Sequence, residues 1–340
     1  MEIPVLSSNP ITKRGGSVNV GLKSVLALVA LALALPATAL NLTVTFFGET
    51  MFGAPFAVAR DKGFFKEVGI DVTGFITSAG GGTTIRNALA SEIPYGEVAL
   101  PAAIAAIQQG VGLTIVHAGV VSVADQVWVT RKEDVSIKTF ADLRGKKLSY
   151  SSPKSVTDMI TTMLLDQAKL TGQVERKSTG AMGAGLTALR AGGVDMTYVN
   201  EPVWSKEKGN YRMVWDSSKI APRVTATVGI VKTDYLKKNP DKIRAIIAAR
   251  KRGVEYILKN PAESAAALAR EYKIELVHAR SAIDNVLSVK GGFWSGGRFD
   301  MEGMNVMLKG LQLVKAVQPG PFNWAKVIDE SYLPADERSR

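Results

Sequence analysis

The sequence contains no cysteine and only two histidines, His117 and His278, among its 340 residues. The lack of cysteine excludes disulfides, a thiol nucleophile and thiolate metal ligands. A Ser-His-Asp arrangement stays open on composition alone, but the chain has no Gly-x-Ser-x-Gly motif of the kind that presents a nucleophilic serine. Because His117 closes an apolar run, it is typical of a buried core residue. We therefore expect no enzyme, no cofactor and no metal site.

Long apolar runs are scarce, and the only one, residues 25–35, lies near the N-terminus. Three basic residues precede it, and a proline followed by a small-x-small pattern ends it at residues 36–39. Its eleven residues fall short of the roughly 20 that a bilayer-spanning helix needs. We predict that residues 1–39 are a cleaved signal peptide and that the mature chain is exported to the periplasm. Without cysteine it cannot be a lipoprotein; an uncleaved N-terminal anchor is the alternative.

The charge of the chain is unbalanced, with 42 Lys and Arg against 31 Asp and Glu and a net charge of +11. Removal of the predicted leader, which has three basic residues and one acidic residue, would leave +9. The basic residues are scattered, with short clusters such as residues 250–252 and no basic stretch interleaved with aromatic residues. We expect no nucleic-acid partner; attraction of an anionic ligand remains open.

From residue 42 onwards, short runs rich in β-branched residues alternate with longer helical patterns. This alternation predicts an α/β fold with a largely parallel sheet. A second series of the same kind begins near residue 126, and no flexible linker separates the two series. We therefore predict two lobes, with residues 40–125 and 228–340 in lobe 1 and residues 126–227 in an inserted lobe 2.

The last hundred residues are predicted to be mainly helical, and two of the helices begin at an Asn-Pro pair. Asn239 and Asn260 each precede a proline that is followed closely by an acidic residue. Asparagine is a favoured N-cap, and proline is favoured in the first turn. We expect both asparagine side chains to cap the helices that follow them.

Three segments rich in Gly, Ser, Thr or Ala lie directly before predicted helices. They contain Gly80, Gly81 and Thr83; Ser152 and Ser155; and residues 180–185. A helix start exposes unpaired backbone N–H groups and a partial positive charge, so it can hold an anion without lysine or arginine. Each segment taken singly could be an ordinary cap or tight turn. Three of them together favour a shared ligand cleft.

Aromatic residues make up only 7% of the chain, so those in loops are informative. Two loops follow predicted strands, one in each lobe. The loop in lobe 1 contains Phe47, Glu49 and Thr50, and the loop in lobe 2 contains Asn200, Glu201 and Pro202. Ligands of α/β sheets usually bind at the carboxyl ends of the strands. We expect the aromatic rings and Glu49 or Glu201 to fix one end of a ligand while helix starts hold the other. A satellite hydrophobic cluster is the alternative.

Several stretches resemble a known family of binding proteins. They are residues 54–72, 142–147, 188–195 with 200–202, and 322–334. In this order they resemble the aliphatic-sulfonate, taurine and nitrate binding proteins (SsuA/TauA) and their NMT1/THI5-like relatives, across nearly the whole chain after the leader. Residues 91–97 depart from the pattern, because those relatives usually carry Gly-x-Asp there.

The resemblance implies a type II periplasmic binding protein fold, whose two lobes close on a ligand over a two-strand hinge. It also implies partners, namely the permease and ATPase subunits of an ABC-type importer. It adds Leu100 and Pro101 to the predicted ligand loops. Because the departure at residues 91–97 lies beside that loop, the identity of the ligand cannot be inherited from the family.

We therefore predict a monomeric substrate-binding component of an ABC-type importer that takes a small organic solute, with a sulfonate or another organic anion as the first expectation. One alternative is an exported ligand-sensing protein of the same fold. Another is a relative of the proteins that bind or synthesise a thiamine-precursor pyrimidine. Such synthases are cytosolic and use histidine and cysteine, so the leader and the lack of cysteine argue against that alternative.

Overall fold

The computed structural model describes residues 40–219, 221 and 223–339. The predicted signal peptide, residues 1–39, lies outside them. None of the helices in this described part has both the length and the hydropathy that crossing a bilayer requires.

Strands and helices alternate through most of the described chain, and helices dominate its last third. The strands are β1 (Leu40–Val44), β2 (Val72–Ile76), β3 (Tyr95–Ala99), β4 (Leu113–Ala118), β5 (Gln126–Arg131), β6 (Lys147–Tyr150), β7 (Glu175–Ser178), β8 (Thr197–Asn200), β9 (Tyr211–Asp216) and β10 (Thr227–Lys232). The helices are α1 (Ala54–Asp61), α2 (Phe64–Glu67), α3 (Gly81–Ala90), α4 (Leu100–Gln108), α5 (Val156–Gln167), α6 (Met182–Arg190), α7 (Val203–Glu207), α8 (Thr233–Lys238), α9 (Pro240–Lys259), α10 (Pro261–Tyr272), α11 (Leu276–Leu287) and α12 (Met301–Leu313). The predicted α/β order is present.

The first lobe is built on a five-stranded sheet with the order β2-β1-β3-β10-β4. β1 pairs in parallel with β2 and β3, whereas β10 runs antiparallel to β3 and β4. All five residues of β3 are buried, as expected for a central strand covered on both faces. The predominantly parallel sheet predicted from the alternation therefore has one antiparallel strand, contributed from late in the chain.

The second lobe contains the sheet β8-β5-β9, whose neighbours are antiparallel, and the parallel pair β6-β7. A bridge between Leu148 and Met196, with Ser149 N donating to Met196 O at 3.0 Å, joins the two. The resulting order β7-β6-β8-β5-β9 repeats the pattern of parallel and antiparallel neighbours in the first lobe. The two lobes therefore share one architecture, although the sequence shows no internal repeat.

The chain passes between the lobes twice, after β4 and before β10, and the two passing segments pair with each other. Gly119 N donates to Thr227 O at 2.9 Å, and Ala226 N donates to Val120 O at 2.8 Å. Val120 N also donates to Thr227 Oγ1 at 2.8 Å. These paired segments form a two-strand hinge, as predicted. The lobe boundaries near residues 126 and 228 stay a prediction.

A buried ion pair ties the first sheet to the C-terminal helices. Arg250 Nε, on α9, donates to Glu97 Oε2, on β3, at 2.6 Å, and neither side chain is exposed. Arg250 Nη1 donates to Ser295 O at 2.7 Å, and Thr227 Oγ1 donates to Glu97 Oε1 at 2.7 Å. Buried charges are tolerated only with such partners. The pair therefore fixes α9, β3 and the hinge end of β10 relative to one another.

Helix α9 approaches α1 closely because it carries a glycine at the contact. A Cβ atom on Gly253 would lie 2.1 Å from Pro55 O, which is far inside van der Waals contact. Apart from Arg250, the other inward positions of α9 are filled by apolar residues, namely Ile243, Ile246, Ile247, Ala249, Val254 and Ile257. Burial of this stripe, and not helix propensity alone, stabilises the helix.

The two Asn-Pro pairs start helices, but their asparagine side chains do not cap them. Asn239 and Asn260 hold the N-cap positions of α9 and α10 without a side-chain capping bond. Asn239 Nδ2 instead donates to Tyr235 O at 3.0 Å, and Asn260 Nδ2 donates to Tyr256 O at 3.5 Å. The N-cap positions are therefore as predicted, whereas the predicted capping bonds of the side chains are wrong. The preceding helix ends at the same residue, and a carbonyl of its last turn accepts both the backbone N–H and the side-chain amide of the asparagine.

Replacement of Arg250 by methionine should lower the free energy of unfolding by about 3–5 kcal/mol, because Glu97 is left buried without its cation. Urea unfolding followed by circular dichroism measures the loss. Arg244→Met on the same helix is the control, since it breaks an exposed pair with Asp241 at 3.0 Å and should cost about 0–1 kcal/mol. Equal losses from the two variants would contradict the special role of the buried pair.

Candidate functional site

A small cavity lies between the two lobes, with a volume of about 20 Å³. Its walls come from both lobes and from the first residue after the hinge. They are Thr45, Phe46, Thr50, Phe52, Gly80, Ala99, Gln126, Ser151, Ser155, Val156, Thr157, Tyr198 and Asn200. A volume of this size suits about one water molecule. An organic solute can therefore enter the cavity only if the lobes move apart, and side chains of the walls must rearrange around it when the lobes close.

Hydroxyl and amide groups supply the polar side-chain atoms of the cavity, and no lining residue carries a full charge. Two helices begin at its wall, α3 directly after Gly80 and α5 directly after Ser155. The N-terminus of a helix carries a partial positive charge and exposes backbone N–H groups. The cavity can therefore accept anionic oxygens without a lysine or arginine.

Four of the predicted ligand residues, Thr50, Gly80, Ser155 and Asn200, line this cavity. Ser155 caps α5 by accepting a hydrogen bond from Asp158 N at 3.1 Å. Gly80 has a φ of 79°, and a Cβ atom there would lie 2.9 Å from the ring of Phe46. Glycine thus lets this ring cover the start of α3.

Gly81 and Ser152 lie against each other across the cleft, beside the cavity. A Cβ atom on Gly81 would lie 2.8 Å from Ser152 Oγ and 3.1 Å from Pro153 O. Ser152 Oγ also donates to Ala79 O at 3.5 Å. These two predicted residues form a direct contact between the lobes, next to residues that line the cavity.

Thr83 lies on the exposed face of α3, where it accepts a hydrogen bond from Arg86 Nη2 at 2.9 Å. The neighbouring Thr84 points inward, and its hydroxyl lies 2.6 Å from Ser78 Oγ and 3.4 Å from Thr45 Oγ1. The helix begins at Gly81, so Thr83 is its third residue and lies on the face turned to solvent.

Leu100 and Pro101 are buried in the first turn of α4 and do not line the cavity. Leu100 N donates to Ala226 O at 3.0 Å, which anchors the helix start to the hinge. The preceding residue, Ala99, forms the cavity wall instead. The predicted loop therefore reaches the site, but one residue earlier than expected.

Phe47 and Glu49 lie outside the small cavity. Phe47 stacks on Phe75 with ring centroids 4.1 Å apart and meets Tyr272 edge-on at 5.1 Å, so it belongs to a hydrophobic cluster of the first lobe. Glu49 lines a separate inter-lobe pocket of about 440 Å³ together with Met182. Burial there raises the pKa of the Glu49 carboxyl above its usual range.

Two polar residues at the hinge, Asp125 and Gln126, join the site although neither was predicted from the sequence. Asn200 Nδ2 donates to Asp125 Oδ2 at 3.0 Å, whereas Asp125 Oδ1 and Gln126 Nε2 are buried without a hydrogen-bond partner in the described chain. The available signal was an Asp-Gln pair directly before an apolar strand at the predicted lobe crossing. Its meaning depends on the cavity, which only the fold creates.

Glu201 bridges the two lobes and does not line the cavity. Its Oε1 accepts from Asn285 Nδ2, on α11 of the first lobe, at 2.6 Å, and its Oε2 accepts from Ser205 N at 3.0 Å. Ser205 Oγ and Ser281 Oγ, again from opposite lobes, lie 3.0 Å apart. Both carboxylate oxygens of Glu201 therefore accept hydrogen bonds from protein groups. We call the contact between Glu201 and Asn285 the latch.

Pro202 lies at the other end of the same inter-lobe contact. It forms an antiparallel bridge with Thr50, and the Glu201–Pro202 peptide bond is cis. Pro202 also lines the 440 Å³ pocket, whereas Thr50 lines the small cavity. The bridge between Thr50 and Pro202 thus stands between the two spaces.

His117 is part of the core of the first lobe. Its Nε2 lies 2.8 Å from Tyr95 Oη and its Nδ1 lies 2.9 Å from Ala118 O, with no side-chain exposure. Burial, reinforced by the positive charge of Arg250, lowers the pKa of His117 to about 3. The imidazole is therefore neutral at physiological pH and lies apart from the cavity walls.

A family model described as NMT1/THI5 like matches residues 53–264, which is more than half of the chain. The chain belongs to the NMT1/THI5-like family. The membership inferred from sequence motifs is thus confirmed. Among relatives, this NMT1/THI5-like chain is 25% identical over 197 residues to YtlA, a candidate binding protein of Bacillus subtilis (strain 168). That match covers 57% of this chain and 59% of YtlA, which is less than two thirds of that protein.

Solved structures match nearly all of the described part of the NMT1/THI5-like chain. The aliphatic sulphonate binding protein SsuA of Escherichia coli has a TM-score of 0.67 at 17% identity, over 85% of this chain and 97% of SsuA. The nitrate-binding protein NrtA of Synechocystis PCC 6803 has a TM-score of 0.68 at 15% identity, over 87% of each chain. A desulfurization enzyme, DszB, has a TM-score of 0.60 at 12% identity, over 86% of this chain and 97% of the enzyme. The chain therefore has the periplasmic binding protein fold.

The carboxyl group of Asp125 should make stability depend on pH. Burial raises its pKa to about 7, against the hydrogen bond from Asn200, which lowers it, and with a smaller contribution from the charge of Glu201, which raises it. The folded protein then holds a proton that the unfolded chain releases near pH 4. The contribution of the Asp125 carboxyl to the free energy of unfolding is therefore constant below about pH 4. It falls as the pH rises from about 4 to about 7.

Asp125→Asn removes this proton equilibrium and keeps an oxygen that can accept from Asn200. The free energy of unfolding of the variant, relative to the unchanged protein, should rise by about 2–3 kcal/mol between pH 5 and pH 8. Urea unfolding at each pH measures the difference. A difference that stays constant across this range would contradict the raised pKa.

Proposed function

We propose that this protein is the exported solute-binding component of an ABC-type importer and that it holds a small organic solute between its lobes. The observation that carries the proposal is the shared cavity, because its polar walls come from both lobes. Thr50 and Gly80 belong to the first lobe, whereas Ser155 and Asn200 belong to the second. A ligand in contact with both walls binds the closed arrangement of the lobes more tightly than the open one, and it therefore stabilises the closed arrangement.

The ligand is proposed to be a small organic anion, with a sulfonate or carboxylate as the first expectation. The starts of α3 and α5 supply positive potential at the cavity, and the basic composition of the chain favours anions near its surface. The names of SsuA and NrtA assign sulphonate and nitrate binding to those proteins. Both are anions, which supports the proposed ligand class.

Closure is proposed to be coupled to the ligand through one short segment of the second lobe. Asn200 lines the cavity, Glu201 forms the latch with Asn285, and Pro202 bridges to Thr50. A ligand that orders Asn200 therefore also orders the residues that hold the first lobe. The same segment must release both contacts before an organic solute can enter or leave.

The cellular setting follows from the predicted leader and from the family. We propose export to the periplasm, with cleavage of residues 1–39, and action as a monomer. The partners are the permease and ATPase subunits of the importer, which take the solute from the closed protein. An enzymatic role like that of DszB has less support, because the cavity walls hold hydroxyl and amide groups and no histidine or carboxylate.

A thermal-shift screen of the mature chain tests the proposed function. The panel contains ethanesulfonate, taurine, nitrate, acetate and benzoate, with acetamide, benzamide and a neutral pyrimidine for comparison. We expect at least one sulfonate or carboxylate to raise the melting temperature and its neutral counterpart to have a smaller effect. No shift with any small solute would contradict solute binding, and shifts with the neutral compounds alone would contradict the anionic class.

Removal of the latch should weaken binding without unfolding the protein. Glu201→Ala and Asn285→Ala should each raise the Kd of the best panel compound about tenfold, because a hydrogen bond to a charged group stabilises the closed form. The double variant should lose little more than either single one. Calorimetry measures the affinities, and circular dichroism checks the fold.

The matched control for the latch is Asn210→Ala, which removes an exposed hydrogen bond to Glu207 within the second lobe. It should leave the affinity unchanged. Unchanged affinity in the Glu201 and Asn285 variants as well would show that closure does not depend on this contact.

A further inference from the structure

Gln126 is the cavity residue whose hydrogen bonding is incomplete. It is the first residue of β5, directly after the hinge, and its side chain is only 1% exposed. Gln126 is one of the residues that line the small cavity, and the Nε2 atom of its side chain has no hydrogen-bond partner in the described chain. A buried amide donor without an acceptor destabilises a folded protein, so its retention needs an explanation.

Other polar side chains of the cavity already have protein partners. Tyr198 Oη donates to Gly180 O at 2.7 Å, and Asn200 Nδ2 donates to Asp125 Oδ2 at 3.0 Å. The hydroxyls of Ser155 and Thr157 lie 3.0 Å from each other. Of the lining side chains, only Gln126 has a buried nitrogen or oxygen atom left without a partner.

The position of Gln126 favours a role in recognition over one in folding. Its Cα pairs with that of Asn200 across β5 and β8, so the two amide side chains stand on neighbouring strands at the cavity wall. The Asn200 amide is held by Asp125, whereas the Gln126 amide is free to donate. An acceptor brought by a ligand would complete its hydrogen bonding.

We propose that Gln126 determines ligand specificity by donating its side-chain amide to an anionic oxygen of a small carboxylate or sulfonate. This role rests on the proposed function, and it identifies the side-chain amide of Gln126 as the group that recognises the ligand. The helix starts at Gly80 and Ser155 attract negative charge, and Gln126 supplies a directed hydrogen bond to one oxygen. A ligand without an acceptor at that point leaves the amide unpaired and is bound less well.

Gln126→Met and Gln126→Glu test this role. Methionine keeps nearly the same length and volume but cannot donate, so the Kd of the best panel acid should rise at least about tenfold. Glutamate keeps the shape and replaces the donor by a carboxylate, which repels an anion. Its Kd should rise further at pH 8 and recover in part at pH 5, where protonation restores a donor. Calorimetry measures each affinity.

The melting temperature of the ligand-free variants separates recognition from folding. Gln126→Met removes an unpaired donor, so the ligand-free protein should melt at the same temperature as the unchanged protein or above it. Gln109→Met is the control, because Gln109 is exposed and lies outside the cavity walls. It should change neither affinity nor stability.

Each contrary result has its own meaning. A ligand-free Gln126→Met protein that melts well below the unchanged protein would assign the amide to folding and overturn the inference. An acid that binds the unchanged protein and Gln126→Met equally would overturn the role of Gln126 alone. A panel in which no compound binds the unchanged protein would overturn the proposed function, and the specificity role with it.

Discussion

The buried pair of Glu97 and Arg250 is the interaction on which the rest of the structure depends. Glu97 accepts from the guanidinium of Arg250 through one oxygen and from the hydroxyl of Thr227 through the other. Thr227 in turn accepts from Val120 N, on the opposite strand of the hinge. One ion pair therefore links the central strand of the first sheet, the longest helix and both hinge segments. Because each charge is costly without its partner, these elements keep a single arrangement.

The candidate site is built on this fixed frame and adds contacts that can separate. The hinge segments are joined by backbone hydrogen bonds, whereas the lobes meet at the cavity through side chains and a single bridge from Thr50 to Pro202. The latch from Glu201 to Asn285 is one of these side-chain contacts between the lobes. Rotation about the paired hinge strands can therefore break the contacts between the lobes and leave the backbone hydrogen bonds of the hinge intact. This division between permanent and separable contacts is what a protein that captures and releases a solute requires.

The sequence allowed prediction of the fold class and of the loops that approach the site, because both follow from local patterns. Alternating strands and helices predicted the α/β architecture, and Gly, Ser and Thr before a helix predicted the helix starts at Gly80 and Ser155. Individual side chains were harder. Thr83 lies on the outer face of α3, and Glu201, predicted to meet a ligand, accepts hydrogen bonds from protein donors through both of its oxygens. Gln126 could not be found locally, because its unpaired amide exists only once the lobes meet.

The neutral lining of the cavity has a consequence for the response to salt. Mobile ions screen charges at a surface within about 10 Å at 0.1 M ionic strength, but they do not enter a closed space that fits one water molecule. The scattered lysines and arginines of this basic chain can therefore attract an anion in a way that weakens as salt is added. If the solute is the proposed anion, the helix ends and amides of the cleft would act on it without that loss. Capture and retention of such a solute would then be governed by separate sets of charges, and the surrounding medium could adjust only one of them.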